Sequence, residues 1–345
     1  MTEHSFNKRN RQQGRDTLNR FETDKGSDVA SLQENFEERR FDADGVREVV
    51  VIGNERVGGC PFKCPGCGVH EEAAKVDASA NAQKIVKQIE GLQCRIQANS
   101  TVYEESGYHI CIYNFGNVTN TEELSVSNLE LLLQKLNELV PSPKYVSLNS
   151  RGRFINEQVL ARLKGLGLKY TIHFILGVES LGEKGSKIYG KPQIQSEVAN
   201  MFATINKFNE ENNSRFGVDA GFVFLPEFYT ADRADKEAIA NGFLSDVGGF
   251  IEKNVGQKTP VRINIHPFYE MPEKMPYAST APYFDILMKA MMKLENIVKL
   301  KNESLPEHLR ISFFIGLNDS GYETLEWKQA KAKWQRDIDR INRGA

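Results

Sequence analysis

The sequence predicts an α/β protein built on a complete or partial (β/α)6-type barrel of parallel strands. Three observations carry that prediction. From residue 49 onward, short runs of β-branched and aromatic residues alternate with longer stretches of helical period. The helical stretches are long enough to serve as right-handed crossovers between parallel strands. Hydrophobic residues make up 40% of a 345-residue chain, enough to bury a substantial core.

Taken in order, residues 1–45 read as an appended N-terminal extension, dense in charged and amide side chains, with Phe21, Phe36 and Phe41 scattered among them. Val29 to Arg40 carries one amphipathic helical pattern, and a partly disordered extension is the equal alternative. The composition changes at Val49, and the barrel is expected to occupy residues 46–318. Its strands are expected at Val49 to Ile52, Tyr108 to Tyr113, Tyr145 to Leu148, Tyr170 to Leu176, Gly217 to Leu225, Val261 to Ile265 and Ile311 to Ile315. Between them, Ile85, Val86, Ile89 and Leu92 share one helical face, and Leu129, Leu132, Leu133, Leu136 and Val140 share another. Val159, Leu160 and Leu163 make a third, closed by Gly165 and Gly167. Residues 319–345 are expected to form a C-terminal capping helix carrying Trp327 and Trp334 on a charged background.

Charge and cysteine usage narrow the class. Lys plus Arg number 44 against 46 Asp plus Glu, a net charge of −2, so no global electrostatic footprint marks a DNA-binding protein. No apolar run reaches the length of a membrane span, and the first residues are polar and basic rather than signal-like, so no membrane association and a cytoplasmic location are expected. Of five cysteines, three are clustered, while Cys94 and Cys111 lie in otherwise apolar surroundings, which speaks against a disulfide framework.

The cluster is Cys60-Pro61-Phe62-Lys63-Cys64-Pro65-Gly66-Cys67, directly after the first apolar run. A 4Fe4S cluster takes one thiolate per iron, so three cysteines leave one iron open to a ligand that is not protein. Gly58, Gly59, Gly66 and Gly68 let backbone approach a bulky inorganic group, and two prolines stiffen the loop. With His70 the same thiols also fit a tetrahedral Cys3His zinc site, and that alternative stays open.

The C-x3-C-x2-C spacing after a first strand resembles the radical S-adenosylmethionine (SAM) enzymes. The resemblance implies one 4Fe4S cluster held by Cys60, Cys64 and Cys67, with SAM on the open iron. It further implies reductive cleavage of SAM to a 5'-deoxyadenosyl radical, driven by a cellular one-electron reductant of the flavodoxin or ferredoxin class. Residues after later strands extend it. Asn114-Phe115-Gly116-Asn117 follows the second strand, departs from the common Gly-Gly-Glu form and looks more like a Ser-Gly-Ser version. Asn149-Ser150-Arg151, Gly177-Val178-Glu179-Ser180 and Tyr189-Gly190-Lys191 resemble the Glu-Ser-Arg, Gly-Leu-Glu-Ser and Asn-Lys-Gly signatures of one branch. That branch holds the elongator catalytic subunit and the radical SAM subunit of archaeosine synthase.

By this resemblance Asn114, Gly116, Asn117, Ser150, Arg151, Glu179 and Ser180 would position SAM. Leu225-Pro226-Glu227-Phe228-Tyr229-Thr230 resembles a Lys-Pro-Pro-Phe-Leu-Thr run, with Leu225 and Glu227 standing where the branch has lysine and proline. Glu227, Asn264 and His266 are the candidate substrate contacts, and His173 reads as a core or lumen histidine. Gly66 replaces the usual aromatic before the third cysteine, which leaves Phe62 or residues beyond Cys67 to meet the adenine. The implied substrate is tRNA or a modified nucleoside, with a small metabolite or natural-product precursor as the competitor, mildly favoured by the near-neutral charge. No second CxxC pair appears, which sets aside an auxiliary cluster and methylthiolation. The alternative from another class is a zinc- or cluster-stabilised binding protein without catalysis.

Overall fold

The computed structural model describes residues 40–42, 45–57, 59–62, 64, 76–114, 116–230, 232, 235–267, 280–316 and 325–343. The expected helix at Val29 to Arg40 lies outside them, except that Arg40 opens a strand. Cys67 and His70 also lie outside.

One eight-stranded sheet runs in sequence order, β1 to β8, with no pairing between its two edges among the described residues, so the barrel is partial. Its strands are β1 (Arg40–Asp42), β2 (Gly45–Val51), β3 (Tyr108–Tyr113), β4 (Tyr145–Asn149), β5 (Thr171–Glu179), β6 (Gly217–Phe224), β7 (Val261–Pro267) and β8 (Ser312–Ile315). β1 pairs antiparallel with β2, and every later neighbour is parallel. The antiparallel edge was not expected, because three residues with charge on both sides of Phe41 show no strand periodicity.

The connecting helices are α1 (Ala78–Ala98), α2 (Ser100–Ser106), α3 (Val126–Leu139), α4 (Glu157–Gly165), α5 (Glu183–Ile188), α6 (Ile194–Asn212), α7 (Pro226–Tyr229), α8 (Lys236–Asn254) and α9 (Phe284–Glu303). Side-chain caps start several of them: Asp77 accepts from Ser79 N on α1, Asn156 from Val159 N on α4, and Asp235 from Ala238 N on α8. Each such cap stabilises its helix by about 1 kcal/mol. α10 (Leu325–Asn342) follows β8.

Period-two alternation divides the sheet into two faces. One face, including Ile110, Ile112, Val146, Leu148, Phe174, Leu176, Val218, Phe222, Ile263 and Ile265, is buried in a single apolar cluster with the helices. The alternate residues carry polar groups into the lumen. There His109, Tyr145 and His173 form a stacked column with ring centroids 4.8 and 4.1 Å apart. Asp219 lies 2.9 Å from His173 Nδ1 and accepts from the Ser147 hydroxyl. Arg47 donates to Cys111 Sγ at 3.2 Å and to the Tyr113 hydroxyl at 2.7 Å.

α10 packs on α9 and the edge strand. Trp327 is buried edge-on against Phe284, 5.0 Å between centroids, and Arg340 pairs with Glu295. Asn342 bonds both backbone groups of Ile315, at 2.7 and 3.1 Å, and so occupies open hydrogen-bonding positions on the edge strand. No helix among the described residues is long and apolar enough to cross a membrane.

Candidate functional site

The sequence-predicted residues lie where the parallel strands end, which is where open α/β sheets and barrels place ligands. The chain leaves β2 through Ile52 to Asn54 and reaches Cys60 after Gly59, whose φ of +64° is a left-handed conformation that favours glycine. Cys60 is half-buried and Cys64 is buried, and both thiols are free. Burial holds the Cys60 thiol above its ordinary value, and the nearby Glu123 carboxylate and Cys64 push the same way. A thiol in such surroundings ionises when a bound cation compensates its charge. The donor chemistry of these two thiols therefore fits a thiophilic metal group.

Beneath Cys60 lies a carboxylate the sequence reading missed. Glu123 is fully buried and accepts from Asn117 N at 2.8 Å, Asn117 Nδ2 at 2.7 Å, Asn120 Nδ2 at 2.7 Å and Asn54 Nδ2 at 3.3 Å. Four donors to one carboxylate fix its position and that of the amides around it. Asn117 is the hub of this network. Its Nδ2 also approaches Cys60 Sγ at 3.8 Å, and its Oδ1 accepts from Arg151 N at 2.9 Å. Gly116 is required here, since an added Cβ would stand 1.7 Å from Glu123 Oε2. The only signal in the sequence was the Asn-rich spacing Asn114, Asn117, Asn120 before Glu123.

The end of β4 interlocks with this segment. Asn149 Nδ2 donates to Gly116 O at 2.8 Å, and the Ser150 hydroxyl meets that of Thr119. Arg151 turns toward the cysteine loop, its guanidinium 4.0 Å from the Phe62 ring centre, with Arg153 at 5.1 Å. Both arginines are anchored by Glu197 in the first turn of α6. Arg151 donates to it through Nε and Nη2 at 3.3 and 3.0 Å, and Arg153 through Nε at 3.0 Å and through Nη2. Phe62, a sequence candidate for the adenine contact, thus has its ring engaged by Arg151, and two nitrogens of Arg151 are committed to a carboxylate of the protein. Glu197 was invisible in the sequence because an acid in a first helical turn looks like an ordinary solvated residue.

β5 extends further than expected. The sequence pattern ends the strand at Leu176, but pairing with β6 continues through a bulge to Glu179↔Phe222. Glu179 adopts φ 62°, an uncommon conformation for a side chain of this size, often found at functional sites. Lys191 Nζ bonds Glu179 Oε1 at 2.9 Å and Gly177 O at 2.7 Å, which joins two of the sequence signatures. Ser180 departs from this group. Its hydroxyl donates to Asp246 Oδ2 on α8 at 2.7 Å, and Leu181 N and Gly182 N bond the same oxygen.

On the later strands, Glu227 is buried on α7. Asn264 Oδ1 and the His266 ring converge on Gly316, where an added Cβ would stand 3.1 and 2.8 Å from them. At the end of β3, Asn114 is fully buried with neither amide atom hydrogen-bonded. The structure therefore joins Cys60, Asn117, Ser150 and Arg151 in one connected network, pairs Glu179 with Lys191, and brings Asn264 to His266, while Ser180 serves the contact to α8.

No protein-family model matches the sequence, and no curated protein matches it. Solved structures do. SuiB of Streptococcus suis bound to S-adenosylmethionine aligns over 94% of this chain at 16% identity and a TM-score of 0.44. SuiB from a second crystal structure aligns over 95% at 16% identity and a TM-score of 0.45. A radical SAM methyltransferase from Sphaerobacter thermophilus aligns over 82% at 13% identity and a TM-score of 0.46, and 70% of its chain is covered. The chain spans 66% and 63% of the two SuiB chains, just under two thirds of their length.

Proposed function

We propose that this chain is a radical SAM enzyme, with Cys60, Cys64 and Cys67 holding one 4Fe4S cluster. The observation that carries the reading is the network running from Cys60 through Asn117 to Glu123 and the Arg151 backbone. It connects the cysteine loop to the two strand ends that the motifs had marked separately. When bound, the cluster supplies one-electron reduction of the SAM sulfonium.

The protein's own groups then have definable tasks. Glu123 fixes the Asn117 amide, and Gly116 leaves the room that this carboxylate fills. Asn114 offers a donor and an acceptor, and burying such an amide unbonded costs about 1–3 kcal/mol until a ligand bonds it. Glu179, held by Lys191 in a left-handed conformation, is suited to accept from ribose hydroxyls. Ser150 and Gly116 complete the SAM-facing set, and Glu227, Asn264 and His266 face the substrate. The barrel begins at β2 (Gly45–Val51), the extension before it contributes the edge strand β1, and α10 (Leu325–Asn342) is the capping helix. The joined Glu179 and Lys191 signatures support kinship with the elongator and archaeosine synthase branch. Its substrate would then be a modified nucleoside, in tRNA or free, or a small metabolite of comparable size, with a flavodoxin- or ferredoxin-class reductant in the cytoplasm.

Anaerobic reconstitution tests the metal assignment. Uptake of about four iron and four sulfide per chain, with an electron paramagnetic resonance signal that changes on SAM addition, is the expected result. One tightly held zinc without sulfide would overturn it in favour of a zinc-stabilised binding protein.

A further inference from the structure

At the amino-terminal ends of β4 to β8, opposite the cysteine loop, a cavity of about 250 Å³ opens to solvent. Its floor is formed by Tyr145 and His173, members of the stacked column that fills the lumen. Its walls carry Lys144, Arg215, Arg262, Arg310 and His308, against one carboxylate, Glu307. Lys144, Arg215 and Arg310 are exposed, each lies immediately before or near a strand start, and none is engaged in an ion pair. Arg262 is different in kind. It is 3% exposed and reaches the cavity from inside the barrel, between Asp219 and the face of Phe314.

Three unpaired cations around a concavity, backed by a buried guanidinium, create a positive potential that a polar, low-dielectric recess focuses. Among the described residues, Asp219 is the carboxylate beside Arg262, and it also binds His173 and Ser147. Burial, with Arg262 and Arg47 beside it, holds the His109 imidazole well below its ordinary value. The volume suits a compact ligand rather than a folded partner. Guanidinium forks match the oxygens of phosphate.

We propose that this mouth is a binding site for a small phosphate-class polyanion, such as inorganic pyrophosphate or a phosphate monoester, separate from the cysteine-loop end. The site is independent of the radical SAM reading, since it uses no residue of the cysteine loop.

The test is calorimetric titration of the 345-residue chain, without cluster, with inorganic pyrophosphate at fixed ionic strength. Thermal denaturation across a pyrophosphate series runs alongside. Saturable binding of one pyrophosphate per chain is expected, weakened about tenfold or more in the Arg215→Ala, Arg310→Ala double variant. Lys207→Ala, an exposed lysine on α6 outside the cavity, should leave the titration unchanged. The altered residues are exposed, and unchanged melting temperatures without ligand will show that the fold is retained. The proposal is overturned if pyrophosphate shows no saturation, if chloride at matched ionic strength stabilises equally, or if the double variant binds like wild type. Binding of tRNA that pyrophosphate does not displace, with no pyrophosphate isotherm, would also overturn it.

Discussion

Glu197→Gln tests the account of how the cysteine loop is held. Glu197 and Arg151 are 6% and 12% exposed, so their pairing is shielded from solvent, whereas Arg153 is 41% exposed and its share is largely screened. Arg151 makes two hydrogen bonds to a charged acceptor, each contributing about 1.5–3 kcal/mol, and glutamine retains one weaker acceptor in the same shape. The expected cost is about 3 kcal/mol, which for a chain of this size lowers the melting temperature by about 4 °C. A guanidinium no longer fixed over Phe62 also loosens the loop. Hydrogen exchange at residues 59–64 of the protein without cluster should quicken, and Phe62→Leu should add little to the Glu197→Gln effect. The measurement is urea denaturation of both single variants and the double variant, with exchange followed by mass spectrometry. A cost below about 0.5 kcal/mol, or strictly additive effects of the two substitutions, would refute the reasoning.

Two further predictions follow from the same geometry. Gly116→Ala puts a methyl group 1.7 Å from Glu123 Oε2, so Glu123 must move and the Asn117 bonds must break; a loss of about 1–3 kcal/mol and impaired iron uptake are expected by denaturation and metal analysis. Asp219 is a pH prediction: burial raises its carboxyl, but His173 and Arg262 beside it and the Ser147 hydroxyl outweigh that and hold it below the ordinary value. A depressed carboxyl stabilises the fold above its unfolded value of about 3.9 and loses that stabilisation as pH falls through its folded value. The stability gap between wild type and Asp219→Asn should therefore narrow as pH falls below about 4. A gap that widens below about pH 4 would contradict this.

Much of the fold was legible because the parallel strands are continuous apolar runs bounded by glycine and charge. Tyr108–Tyr113 matches its expected bounds, and Tyr145–Asn149, Gly217–Phe224 and Ser312–Ile315 lie within a residue of theirs. β1 was not legible, since an edge strand this short is specified by its partner β2 rather than by its own pattern. The end of β5 was missed because Gly177 and the bulge break the periodicity while pairing continues. In the site, the motif residues could be named but their partners could not. Glu123 and Glu197 are buried acids and Asp246 a half-buried one, on or beside helices, and only the tertiary fold distinguishes them from the many solvated acids of this chain. Ser180 shows the converse: a motif position whose hydroxyl the fold directs to α8.

The most direct test of the central claim is 5'-deoxyadenosine formation from SAM by the reconstituted, reduced protein. The account predicts time-dependent 5'-deoxyadenosine from the wild-type chain and its loss in Cys64→Ala. A preparation with full iron and sulfide occupancy that never cleaves SAM would contradict it.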